Sequence, residues 1–163
     1  MTTPAAITLS AARPTPQSFA PFGALLERPT TDATLRRDDI TYWHNTGDLA
    51  DLDCSGVTGF LTAHRRDAQL SILERHNHTC EAFIPISGSS LFVVAPPGQL
   101  QLDAVRAFLL EPGSAVLLHR GTWHWAPFPL TQSADFLLAL RAENAHGGHR
   151  NPRDSPASPR RSG

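Results

Sequence analysis

Between residues 59 and 140 no apolar run lasts long enough for a helix of ordinary length. Short apolar or alternating stretches fall at 59–62, 70–76, 82–86, 91–95, 107–110, 114–118 and 136–140. Ser87-Gly88-Ser89-Ser90, Ala95-Pro96-Pro97-Gly98, Glu111-Pro112-Gly113 and Arg120-Gly121 separate them. Gly takes positive φ without a Cβ clash, and Pro fixes φ and removes an N–H donor, so each cluster ends a strand and turns the chain. Short strands recurring about every ten residues are the pattern of an antiparallel sandwich or barrel. Residues 100–106 are the best helical stretch, and a short one; 136–140 also fits a buried helix on periodicity alone.

A chain of 163 residues is one domain's worth. Residues 1–18, with Pro4, Pro14 and Pro16, read as an extended lead-in, and 19–143 as the folded domain. Residues 144–163 are rich in Gly, Ser, Pro and Arg, bury almost nothing and read as a disordered tail. A 40% hydrophobic share supports a real core, and the net charge of -1 leaves no electrostatic footprint for nucleic acid. Every basic residue is Arg, which excludes a Schiff-base lysine and a P-loop lysine. No apolar run reaches membrane-spanning length and no leader pattern is present, so no membrane role is expected. The expected home is the cytoplasm, with Cys54 and Cys80 reduced.

The chemistry concentrates in two places. Glu74 and His76 close one expected strand, two residues apart and therefore on one face. Asn77-His78-Thr79-Cys80 turns the chain, Glu81 opens the next strand, and Gly88 follows. Downstream, Gly113 precedes His119-Arg120-Gly121 and then His124. Imidazoles and carboxylates on neighbouring strands of a closed sheet aim at one interior point, and such a mixed set suits Ni, Mn, Fe or Zn. The candidate ligands are Glu74, His76, His78, Glu81 and His124. Two registers compete: with Glu74 as the first ligand, His76 precedes Glu81 by a gap of four residues; with His78 as a ligand, Glu74 becomes a supporting group. The spacing favours Glu74. His44, His64, His146 and His149 are isolated and read as ordinary surface or hydrogen-bonded residues. Trp123, Trp125 and Phe128 form an aromatic cluster beside His124, with core packing, pocket lining and a dimer face as its three readings.

This two-part spacing resembles the paired motifs of the cupin superfamily. Glu74, His76, Glu81 and Gly88 stand at the first motif's positions; Gly113, Gly121 and His124 stand at the second's, with His119 replacing a Pro and Phe128 a trailing Asn. The resemblance implies an all-β, cupin-type double-stranded β-helix, a jelly-roll barrel with short helical segments, holding a divalent metal.

A narrower likeness spans residues 19–141. Phe19-Ala20-Pro21-Phe22-Gly23, Asp48-Leu49-Ala50, Leu73-Glu74-Arg75-His76, Ala82-Phe83-Ile84-Pro85, Phe92-Val93-Val94-Ala95-Pro96-Pro97, Arg106-Ala107-Phe108, His119-Arg120-Gly121-Thr122-Trp123-His124 and Asp135-Phe136-Leu137 resemble the ureidoglycolate lyase family. The resemblance implies a homodimeric enzyme that splits ureidoglycolate into glyoxylate and urea, late in purine and allantoin degradation, often with a divalent metal. Glu74, His76 and His124 match the family's polar positions. The chain departs where Asn77-His78-Thr79 replaces Pro-Leu-Gly, Glu81 replaces Gln, Trp125 replaces a second His, Leu140 replaces the Asp before Arg141, and Leu117-Leu118 replaces Asn-Tyr. An added carboxylate with fewer polar neighbours predicts stronger metal binding and an altered substrate fit.

On this reading the metal binds the small-molecule substrate's carboxylate and hydroxyl oxygens. Glu81 or His119 takes the hydroxyl proton, His124 or a bound water supplies the urea nitrogen's proton, and Arg120 or Arg141 clamps the carboxylate beside Trp123. Arg120 is equally placed to be a structural ion-pair partner. The alternatives are a metal cupin acting as isomerase, dehydratase or oxygenase in small-molecule biosynthesis, and a non-catalytic ligand-binding cupin.

Overall fold

The computed structural model describes residues 6–142, so the expected tail at 144–163 lies outside the described residues. The described chain is all-β, as its turn spacing predicts. The front sheet runs β1 (Ala11–Ala12), β8 (Arg106–Leu110), β7 (Ser90–Ala95), β10 (Trp123–His124), with β11 (Phe128–Pro129) also on β7. The back sheet runs β2 (Gly23–Leu26), β9 (Ala115–Leu118), β6 (Glu81–Ser87), β12 (Ser133–Arg141), β5 (Gly56–His64). A separate hairpin pairs β3 (Leu35–Arg36) with β4 (Thr41–Tyr42). Every pairing is antiparallel except β1 on β8.

Strand alternation builds the core. Phe83, Val116, Leu118 and Phe136 of the back sheet meet Phe92, Val94, Phe108 and Leu110 of the front sheet in one buried cluster. Each buried side chain of this size stabilises by about 1.5–3 kcal/mol relative to exposure. Phe19 and Phe22 cap this layer against Phe108, with ring centroids 5.1 and 5.6 Å away. The four-residue helix α1 (Pro16–Phe19) delivers them. Thr15 caps it, Pro16 suits its first turn, and Ser18 completes a capping box.

The opposite faces are covered too. Val93, Ala95, Ala107, Trp123 and Phe128 on the front sheet's outer side lie under Leu9, Leu70, Leu73 and Leu100. Phe128 and Trp123 of the aromatic cluster are thus packing residues. Ala82 and Leu117 on the back sheet's outer side lie under Leu52 of a 3-10 turn, Ala50–Ser55.

Two expectations change and one open alternative is resolved. Residues 70–76 form no strand: Leu70 and Leu73, three apart, spend their apolar surface on the outer face of the front sheet, and only Glu74 makes an isolated bridge, to His124. Residues 100–106 hold a three-residue 3-10 turn, Leu102–Ala104, before β8 takes over. Residues 136–140 are strand, not helix, because β12 is central and pairs with both β5 and β6.

Candidate metal centre

Three segments converge at one end of the sandwich. β6 opens with Glu81, whose side chain shares the inward face of Phe83 two residues later. β10 places His124 opposite Val94, with its imidazole against Phe83 and Phe92 at ring separations of 5.8 and 6.3 Å. The third segment is the connection carrying Glu74 and His76. Its register is fixed by the bridge: the Glu74 N–H donates to the His124 carbonyl at 2.8 Å, and the His124 N–H donates back at 2.9 Å. The Gly121 N–H donates to the His76 carbonyl at 2.7 Å. Gly121 holds φ at +77°, a conformation L side chains rarely adopt, which is why the motif has Gly there.

The outcome is a cluster in which the ligand atoms of Glu74, His76 and His124 all lie within 4.8 Å of one another. Glu81 Oε2 lies 3.1 Å from Nε2 of His76 and 3.1 Å from Nε2 of His124. His76, Glu81 and His124 are 9%, 5% and 2% exposed, while Glu74 is half-buried.

Burial alone would push the Glu81 carboxyl up, but hydrogen bonds from His124 and His76 outweigh it and hold its pKa down to about 2. Burial likewise opposes the charged form of His124, yet the hydrogen bond and charge of Glu81 win and raise its pKa. The His124 Nδ1–H faces the Thr122 carbonyl at 2.9 Å, and a carbonyl can only accept. Nε2 of a neutral His124 is therefore a bare lone pair facing a carboxylate oxygen. That juxtaposition needs a proton or a cation between the two atoms. A ligating His that donates its other N–H to a carbonyl is the usual support of a metal site. The donor set therefore fits a divalent cation of the Ni, Mn, Fe or Zn kind.

The other sequence candidates lie elsewhere. His78 is exposed and outside the cluster. His119 is exposed and lines a cleft of about 390 Å³ on the back sheet's outer side, with Asp48, Asp51 and Cys80. Arg120 lines the same cleft, with its Nε 3.1 Å from Asp51 Oδ2, so it serves the ion-pair role. Arg141 ends β12 on the side of Ala139, the partner of Ala82, and alternation puts that side opposite Glu81 and Phe83. Trp123 is buried, and its Nε1–H donates to the Gly98 carbonyl at 3.0 Å. The sequence reading overlooked the Thr122 carbonyl and the Phe83 and Phe92 rings around His124. A backbone acceptor leaves no trace in residue type, and the two rings look like any core aromatics.

A small two-sheet β sandwich that gathers imidazoles and carboxylates at one end is the arrangement that the cupin resemblance implies. The family model of ureidoglycolate lyase matches residues 6–151. The chain belongs to the ureidoglycolate lyase family and is a lyase. Its curated relatives named ureidoglycolate lyase include those of Pseudomonas aeruginosa and Pseudomonas fluorescens, each 33% identical over 135 residues. These alignments cover 78% of this chain and 80% and 81% of the respective relatives. The Burkholderia cepacia ureidoglycolate lyase is 32% identical over 144 residues, covering 79% of this chain and 77% of that one. A solved structure of RmlC from Streptococcus suis in complex with dTDP-D-xylose superposes with a TM-score of 0.43 at 9% identity, over 74% of this chain and 71% of that one. Among the described residues, no helix is long and apolar enough to cross a membrane.

Proposed function

We propose that this chain cleaves ureidoglycolate to glyoxylate and urea, and that Glu74, His76 and His124 hold a divalent cation at the site. The observation that carries the reading is the convergence of these three donors on one another, with both imidazoles against the buried Glu81, in a chain that matches the family model from residue 6 to 151. The cation's chemistry would be to polarise the substrate's carboxylate and hydroxyl oxygens and to lower the hydroxyl pKa.

The reaction is proton-neutral. One proton leaves the hydroxyl oxygen as the C–N bond breaks, and one proton joins the departing urea nitrogen. Glu81, buried beside both imidazoles, would accept the first and return it to the second. Phe83 and Phe92 exclude water from the His124 side of the site. The same reading makes the enzyme a cytoplasmic homodimer. Free Cys54 and Cys80 suit a reducing compartment, and the family resemblance supports the pairing of subunits.

The test uses chelator-treated protein reloaded with Ni²⁺, Mn²⁺, Fe²⁺ or Zn²⁺ and incubated with ureidoglycolate while glyoxylate is followed. Metal-stimulated glyoxylate release is expected. Tight metal without turnover would move the protein to a different small-molecule substrate; neither metal nor turnover would make it a ligand-binding cupin.

A further inference from the structure

The bridge that brings the donors together also brings together two residues with no polar role inside the site. Antiparallel register with Glu74 opposite His124 puts Arg75 opposite Trp123. Alternation then sorts the pairs: Glu74, His76 and His124 face inward, and Arg75 and Trp123 face the outer side of the front sheet. There the Arg75 guanidinium lies 4.4 Å from the centroid of the Trp123 ring. Arg75 Nη1 donates to the Gly98 carbonyl at 2.7 Å, and Trp123 Nε1 donates to the same carbonyl at 3.0 Å. Gly98, with φ at +106°, belongs to the turn that follows β7. One carbonyl thus ties the connection bearing Glu74 and His76 to the strand bearing His124.

We infer that Arg75 is a positioning residue: stacked on Trp123 and anchored to Gly98, it holds the Glu74–His76 segment in the register that makes the donors converge. The inference rests on the metal reading above for its consequence, but not for its geometry. Residues 70–76 form no ladder strand, so beyond the packing of Leu70 and Leu73 on the front sheet the segment is held by the Glu74–His124 bridge, the Gly121-to-His76 bond and this clamp. Arg suits the task where Lys does not, because a planar guanidinium stacks and donates at once.

Two readouts test it. The first is amide hydrogen exchange on the chelated protein. Arg75→Ala is expected to speed exchange at the Glu74, Gly121 and His124 N–H groups by about tenfold or more, leaving Phe83 and Leu138 of the back sheet unchanged. The second is direct titration with Ni²⁺ and Co²⁺. Arg75→Ala is expected to weaken affinity about 10- to 100-fold, as loss of a supporting contact does, and to shift the visible ligand-field spectrum of the Co²⁺ form. Arg75→Lys should recover only part of both effects. Trp123→Phe keeps the ring but loses the indole donor and should be intermediate; these two variants carry the test if Arg75→Ala does not fold. Unchanged exchange and unchanged metal affinity in Arg75→Ala would overturn the inference, as would exchange that accelerates equally across the back sheet. A wild-type protein that binds neither cation would sink the metal reading instead, and the exchange comparison would still decide the role of Arg75.

Discussion

Glu81 faces two imidazole nitrogens at equal distance, and that symmetry separates two roles by experiment. His76→Ala and His124→Ala should each cut bound metal in the purified protein at least about tenfold by elemental analysis. Glu81→Gln should keep the metal and slow glyoxylate release by about 10²- to 10⁴-fold, the range of a lost acid–base group; loss of metal instead would make Glu81 a ligand. Glu74→Gln should lower metal content and His78→Ala should not, because His78 points to solvent. Protonation gives a second test in the chelated protein. The folded pKa of Glu81, about 2, lies below its ordinary 4.5, so its contribution to stability is in place above about 4.5 and is lost as pH falls toward 2. The folded pKa of His124 is raised from 6.5, so its contribution is in place below that value and is lost as pH rises through the raised one. The pair therefore contributes most between about pH 4.5 and 6.5. Urea midpoints measured from pH 3 to 9 should show its loss on both sides, and His124→Gln should remove the alkaline loss.

Turns and sheet faces carry their own consequences. Gly88 turns the chain from β6 in the back sheet to β7 in the front sheet at φ +71°, and a Cβ there would sit 2.6 Å from both the Ser133 carbonyl oxygen and Thr131 Oγ1. Gly98 also has positive φ, but a Cβ there would meet nothing within 4 Å. Gly88→Ala should thus cost more than about 1 kcal/mol of unfolding free energy, and clearly more than Gly98→Ala, by urea denaturation. Cys80 sits under the Ala50–Ser55 turn and its thiol is pushed up by burial and by Asp51, whereas Cys54 is exposed. Native protein should therefore titrate one thiol with a colorimetric disulfide reagent, and denatured protein two. The turns between the long strands were legible in the sequence because Gly and Pro mark them by backbone chemistry alone; the β3–β4 hairpin, which turns through Arg37 to Ile40, carries neither. The connection at 70–76 was not. Its Leu residues satisfied a strand pattern locally, but their burial partner is the outer face of a sheet assembled from residues 91 to 128, which no local window contains.

Across the whole molecule, the interlayer core and the candidate site share Phe83 and Phe92, so filling the site should stiffen the fold. A cation at one hundred times its dissociation constant adds about 2.7 kcal/mol, which for a domain of this size raises Tm by roughly 5–10 °C. Differential scanning calorimetry with and without chelator checks this. His76, Glu81 and His124 were legible in the sequence by type and spacing, whereas the way Glu74 and His76 are held was not, since the bridge, the Gly121-to-His76 bond and the Arg75 contacts all reach residues distant along the chain. That bridge has a further meaning. Two of the three donors belong to a stretch outside both ladders, so the side chains at Glu74 and His76 can be exchanged without removing a ladder hydrogen bond, provided Leu70 and Leu73 keep their cover of the front sheet. For an engineer, the same stretch is a cassette with fixed anchors: a graft that keeps Leu70, Leu73 and Arg75 would offer new ligand chemistry on the same chassis.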